Sequence, residues 1–308
     1  MKVSVRVPAT TANLGPGFDC LGLALPVYNE ITVEEQVMPG SGLEINIIED
    51  SETYDILSIP KNEENIVYKA IELLYNFVGQ SVNDIKITIK TGIPVTRGLG
   101  SSASVIVGGL IAANTLLGNP ADDAVLLSIA SEVEGHPDNV TPAMFGGFCL
   151  SCVEDDGSVS YSKIPWPQDW KLTVIIPDYE LDTRIARSVL PENISISDAA
   201  YNVRKCALLI DAVYRQDANL MKKCLKDKIH QPYRQELIKG FKKLNETVQN
   251  KDNIIGCVIS GAGPSILIIS QNGGFEKIEN DVKRIFEDLN VNCDIRTLNI
   301  ENEGSKII

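Results

Sequence analysis

Residues 92 to 104 read Gly92-Ile93-Pro94-Val95-Thr96-Arg97-Gly98-Leu99-Gly100-Ser101-Ser102-Ala103-Ser104. Gly98 and Gly100 let the backbone turn tightly and approach a ligand with no side chain in the way. Helical periodicity runs from Ser102 to Leu117, and the first amides of a helix point forward without partners. That end carries about half a positive charge, so phosphate oxygens are favoured there. Ser101 and Ser102 add hydroxyls that can bind phosphate or complete a magnesium shell. No lysine follows the glycines, so this is not the Gly-x4-Gly-Lys-Ser/Thr phosphate loop. A glycine turn with serines capping a helix is the plainer reading of a bare Gly-x-Gly, and the longer string weighs against it.

Other segments place polar groups where chemistry could use them. Pro8 to Asp19, with Asn13 and Asp19 in it, reads as a polar loop ahead of the apolar run Leu21–Leu25. An apolar helix from Asp122 runs into Glu132-Val133-Glu134-Gly135-His136-Pro137-Asp138-Asn139 and breaks at Gly135 and Pro137, before a glycine-rich turn. Acids at the C-terminal end of a helix oppose its dipole, which hints at a bound cation. Thr183, Arg184 and Arg187 lie in one later segment, and His230 and Arg234 in another. Planar guanidinium groups bind carboxylates two-pronged, although a single arginine is more often a surface charge. Ser260-Gly261-Ala262-Gly263-Pro264-Ser265 reads as a tight turn between two apolar runs.

The elements that must position these groups are mixed. Strand patterns fall at Val3–Val7, Glu30–Glu34, Glu44–Ile48, Ile85–Ile89, Gly147–Val153, Leu172–Ile176, Cys257–Ser260 and Ile266–Ser270; helical patterns at Asn65–Val78, Ser102–Leu117, Asp122–Glu134, Ser197–Tyr214 and Ala218–Lys226. They do not alternate strictly, so periodicity predicts an α+β fold of two layered domains rather than a doubly wound sheet. The proline-bearing stretch Ile164 to Trp170 is the candidate boundary, dividing the chain into 1–165 and 166–308.

Pro94-x3-Gly-Leu-Gly-Ser-Ser-Ala resembles the phosphate loop of the GHMP kinases, and four further strings fall in that family's order across most of the chain. Ala12-Asn-Leu-Gly-x-Gly-Phe-Asp19, Glu134-Gly-His-Pro-Asp-Asn-x2-Pro-Ala143, Thr183-x2-Ala-Arg-x2-Leu-Pro191 and His230-Gln-x-Tyr-Arg234 resemble the homoserine kinase branch most. The resemblance implies an N-terminal nucleotide-binding α+β domain, a C-terminal ferredoxin-like one, and transfer of the γ-phosphate of ATP to the hydroxyl of L-homoserine in threonine biosynthesis. It implies that Pro94, Gly98, Leu99, Gly100, Ser101, Ser102, Ala103 and Ser104 hold ATP, with Asn65 near the adenine. Mg2+ falls to Glu134 (Glu132 as the fallback) and a loop serine, Ser102 or Ser101. Asn13, Asp19, His136, Asp138, Asn139, Thr183, Arg187 and Arg234 face the acceptor. Asp19 would take its ammonium and Arg187 with Arg234 its carboxylate, and Asn139 would lie near its hydroxyl. Glu134, Asn139, Ser101, Ser102 and Arg187 carry catalysis. A general base is left open between none and Asp138. The glycine loop at 260–265 steadies the phosphate loop, and a homodimer is expected. Another GHMP kinase, or a nucleotide sensor that has lost catalysis, are the competing readings.

Composition sets limits. Lys and Arg total 28 against 41 Asp and Glu, a formal charge of −13, which repels phosphate backbones and anionic lipid. Nucleic acid and membrane are therefore poor partners, whereas ATP needs only a local positive field. Seven scattered cysteines suit reduced thiols in a cytoplasmic enzyme, and two histidines leave little for a zinc site. Neither a secretory signal nor an 18-residue apolar stretch is expected from the pattern.

Overall fold

The computed structural model describes residues 1–36, 38–49 and 59–308. In chain order the elements are β1 (Lys2–Ala12), β2 (Leu21–Glu35), β3 (Leu43–Glu49), α1 (Ile66–Phe77), β4 (Ile85–Thr91), α2 (Ser101–Leu116), α3 (Asp123–Glu134), α4 (Pro137–Phe145), β5 (Phe148–Val153) and β6 (Val159–Ile164). Then come β7 (Lys171–Pro177), α5 (Thr183–Ser188), α6 (Ile196–Tyr214), α7 (Ala218–Cys224), α8 (Gln231–Arg234), α9 (Phe241–Val248), β8 (Ile254–Ile259), β9 (Ile266–Ser270), α10 (Glu279–Glu287), β10 (Cys293–Leu298) and β11 (Lys306–Ile307).

β1 and β2 form a long antiparallel pair that organises the first sheet, ordered β11-β1-β2-β4-β3, with β5 also on β2 and β6 on β5. The alternation of Ile85, Ile87 and Ile89 with lysines and threonines along β4 turns one face inward. Helix α2 lies against that face with α1 and α3 beside it. It is apolar nearly all round because neighbours cover it on every side.

The second sheet is ordered β10-β7-β9-β8, antiparallel throughout. Numbered along the chain, its strands lie 4-1-3-2, the ferredoxin-like order that the family resemblance implies. The fold is therefore α+β with two sheets, as expected. We propose the division at 165/166, supported by the change of sheet between Ile164 and Lys171. The chain does not divide cleanly there, because β11 returns to pair with β1. The segment between the sheets is packed rather than loose: Trp166 and Trp170 are buried edge to face, in a core cluster containing Ala9, Leu14, Leu21 and Leu23 from one half and Leu172, Leu209, Leu267 and Ile269 from the other.

Two local expectations need correction. Pro8–Ala12 is not loop but the continuation of β1, which shifts register between Pro8 and Ala9. A bulge is where a strand tolerates proline, and the β-branched Thr10 and Thr11 favour extension. The helix ending at Glu134 is not followed by a glycine-rich turn: Pro137 opens α4, and only Gly146 and Gly147 end it. Proline suits the first turn of a helix, where its missing N–H would have had no partner.

Candidate active site

A cavity of about 340 Å³ opens where the two sheets meet, lined from both halves by residues from Asn13 to Ala262. One end of it is the turn before α2. Gly100 is left-handed (φ 65°) and offers no side chain to cap the helix, and the first turn carries no acid. The helix end is thus left to an incoming anion.

That turn is fixed from three directions. Thr10 N donates to Leu99 O at 3.0 Å. Ser260 Oγ donates to Gly98 O at 2.7 Å. Ser265 N donates to Arg97 O at 3.3 Å. A methyl group at Gly98 (φ 70°) would sit 2.3 Å from Ser260 O, and one at Gly100 1.9 Å from Thr10 Oγ1. Both glycines are required by close approach as well as by their torsions. The 260–265 loop thereby packs against the phosphate loop.

Ser102 Oγ donates to Glu134 Oε1 at 2.7 Å. The pair bridges the start of α2 and the last residue of α3. Burial pushes the Glu134 carboxyl above its ordinary value, opposed by the charge of His136 and the bond from Ser102. A half-buried carboxylate beside a hydroxyl is an all-oxygen donor pair, of the kind magnesium takes together with phosphate oxygens. The residues present therefore fit a nucleotide-bound magnesium. Among the described residues no cluster of three or more His, Cys, Asp or Glu could hold a metal by itself. Glu132 is exposed and does not line the cavity, so Glu134 is the acid placed there.

At the other end, Arg187 grips Asp19 with both prongs, Nη1 to Oδ2 at 3.0 Å and Nη2 to Oδ1 at 2.8 Å. Arg234 is 2 % exposed and donates through Nε to Ala186 O and through Nη1 to Gly261 O, each at 3.0 Å. Burial, with Arg187 next in weight, brings its guanidinium down to about 10. Asn13 donates from Nδ2 to Gly261 O at 3.0 Å and accepts the Asp19 amide at 2.9 Å. Thr183 lines the cavity at the start of α5.

Between these ends lies the first turn of α4. His136 Nδ1 is 2.6 Å from Asp138 Oδ1, and Asn139 Nδ2 donates to the same oxygen at 3.2 Å. Burial works against the imidazolium, but the Asp138 bond and charge outweigh it and raise His136 to about 8. Asn139 Oδ1 accepts from Thr10 Oγ1 at 2.7 Å.

Three expected groups are committed elsewhere. Asn65 caps α1, accepting from Val67 N and donating to Pro60 O, and is 1 % exposed. Ser104 is fully buried, donating to Ser101 O and accepting from Asn29. Ala103 is fully buried in the core of the first half. None of the three lines the cavity; Pro94, Gly98, Leu99, Gly100, Ser101 and Ser102 do. Two contributors were missed. Thr10 ties β1 to both the phosphate loop and α4, and a hydroxyl inside a strand gives no signal of that. Phe18 stacks on His230 and reaches both arginines; an aromatic beside an apolar run reads as core.

Residues 65–147 match the model of the GHMP kinases N terminal domain. Homoserine kinases from Crocosphaera subtropica and Clostridium botulinum are each 40% identical to this chain over 99% of its length, covering 97% and 98% of their own. A crystal structure of homoserine kinase from Cytophaga hutchinsonii superposes with a TM-score of 0.88 at 32% identity, covering 100% of this chain and 97% of that one. Mevalonate diphosphate decarboxylase from Staphylococcus aureus, at 15% identity and a TM-score of 0.70, shares the fold. The chain belongs to the GHMP kinases, ATP-dependent phosphotransferases acting on an alcohol. Within that class it is a member of the homoserine kinase branch.

Proposed function

We propose that the chain transfers the γ-phosphoryl group of ATP to the hydroxyl of L-homoserine, giving O-phospho-L-homoserine on the route to threonine. The observation that carries this is one cavity with a phosphate loop and the Ser102–Glu134 pair at one end and Asp19, Arg187 and Arg234 at the other. A sugar or mevalonate acceptor has no use for an acid and two guanidinium groups arranged to read both charges of an amino acid. A sensor that had lost catalysis has no use for the intact Ser102–Glu134 pair.

Phosphoryl transfer needs alignment and charge neutralisation more than covalent help. Gly98–Ser102 and the start of α2 hold the phosphates. Glu134 and Ser102 hold Mg2+, which supplies charge neutralisation at the phosphates when bound. Asp19 takes the ammonium group and Arg187 with Arg234 the carboxylate. Asn139, oriented by Thr10 and Asp138, directs the hydroxyl. Asp138 is already held by His136 and Asn139, which favours proton removal by the phosphate over a dedicated base. Unaltered turnover in Asp138→Asn would rule out Asp138 as that base.

The same proposal includes a cytoplasmic location and a homodimer. Free thiols throughout the chain suit the first, and the exposed Ile196, Val203 and Tyr214 along α6 suit the second. Coupled ADP release with ATP, Mg2+ and L-homoserine, L-serine, L-threonine, mevalonate or galactose tests the acceptor. Selective turnover of L-homoserine supports it; preference for L-serine or L-threonine replaces the acceptor but keeps the clamp, and preference for mevalonate or galactose refutes the clamp.

A further inference from the structure

Phe18 stands between Gly17 and Asp19 with its ring half-exposed. The Arg187 Cζ lies 5.5 Å from the ring centroid and the Arg234 Cζ 5.2 Å from it. The fully buried His230 stacks on the same ring, with centroids 5.3 Å apart and planes 25° apart. One aromatic side chain therefore meets both arginines assigned to the acceptor carboxylate.

Two guanidinium groups on one ring, one of them buried, repel each other; burial first, and the charge of Arg187 second, weaken the hold of Arg234 on its proton. His230 Nε2 donates to Gly15 O at 2.7 Å, and burial lowers its pKa, so it stays neutral and adds no third charge. An aromatic face attracts cations through its quadrupole, and no aliphatic side chain of similar bulk does. Asp19 balances Arg187 in the structure described, but it must turn toward the ammonium group when an amino acid enters. The ring stays on both cations whichever way Asp19 turns.

We propose that Phe18 is a positioning residue that holds Arg187 and Arg234 together as a carboxylate-reading pair, and so sets selectivity for an acceptor bearing an α-carboxylate. This rests on the amino-acid acceptor reading above. Phe18 is not among the residues lining the cavity; it acts through the two arginines.

The test is steady-state kinetics of wild type, Phe18→Leu, Phe18→Met and Phe18→Tyr, each checked for folding by thermal melt. Leucine and methionine fill space without a quadrupole, and tyrosine keeps it. Phe18→Leu and Phe18→Met should raise KM for L-homoserine roughly tenfold, leaving kcat and KM for ATP within about twofold. Phe18→Tyr should stay within about twofold of wild type throughout. The proposal is overturned if the aliphatic variants match wild type, if kcat falls or KM for ATP rises with them, or if tyrosine fails to rescue. Should one aliphatic variant not fold, the other decides. Wild type that ignores L-homoserine overturns the acceptor reading and this proposal with it, an outcome distinct from normal wild-type kinetics with unaffected variants.

Discussion

Asp19 and Arg187, far apart in the chain, face each other across the acceptor end of the cavity in a two-pronged ion pair of 2.8 and 3.0 Å. The groups assigned to the two charges of an amino acid thus satisfy each other. An incoming zwitterion exchanges one internal pair for two intermolecular ones, so the acceptor gains less than isolated charges would give it. Shape and the second arginine supply the remaining discrimination.

The clamp itself is tested by Arg187→Lys. Lysine keeps the charge but loses the planar fork. A charge-assisted bond contributes on the order of 1.5–3 kcal/mol, so KM for L-homoserine should rise roughly 10- to 100-fold with KM for ATP unchanged. A rise below threefold in initial-rate kinetics would remove Arg187 from the clamp.

Glu134→Gln and Ser102→Ala address the nucleotide end. Both keep the approximate shape while removing a hard oxygen donor. Turnover should fall by roughly 10²- to 10³-fold in Glu134→Gln, and half-maximal rate should need more Mg2+ in both variants. An unchanged magnesium titration would move the metal elsewhere.

Gly98→Ala tests the packing of the two glycine loops. Its Cβ would meet Ser260 O at 2.3 Å on a backbone with φ 70°, and a left-handed torsion alone costs a non-glycine residue roughly 1–2 kcal/mol. KM for ATP should rise and the urea midpoint should drop. A variant with wild-type nucleotide affinity would show that the loops can part without harm.

His230 gives the chain a pH-dependent stability. Its folded pKa lies below the ordinary 6.5 because it is buried, so below pH 6.5 the unfolded chain binds a proton that the folded one refuses. The contribution is present above that pH and is lost as pH falls, by up to about 1.4 kcal/mol per unit. Urea denaturation at pH 7.5 and 5.5 should show a larger acid loss in wild type than in His230→Gln. Equal losses would assign the acid sensitivity to other groups.

Much of this was legible in the sequence because the motifs are local. Gly98 to Ser102 announces its turn through glycines that nothing else could replace, and the α2 pattern follows at once. Glu134 was separable from Glu132 only in three dimensions, since a rotation of 100° per residue puts one toward Ser102 and the other into water. Asn65 and Ser104 look like ligands in a string and prove to be a cap and a buried bridge. Their hydrogen bonds go to Pro60, Val67, Asn29 and Ser101, and a string of letters does not say which neighbour a polar group will find. The edge strand β6 is nearly all exposed and carries no apolar rhythm to read. Thr10 and Phe18 escaped notice because their roles depend on partners far away in the chain.

The core around Trp166 and Trp170 takes residues from both sides of the change of sheet. For the history of such a protein that has a consequence: its two halves cannot be traded independently. A hybrid joining residues 1–165 to the matching remainder of a distant relative inherits a tongue without its groove. Leu14 and Leu21 would meet unfamiliar surfaces where Leu209 and Leu267 now stand. Substitutions on one side are tolerated only in the company of others across the seam, so the halves evolve as a matched set.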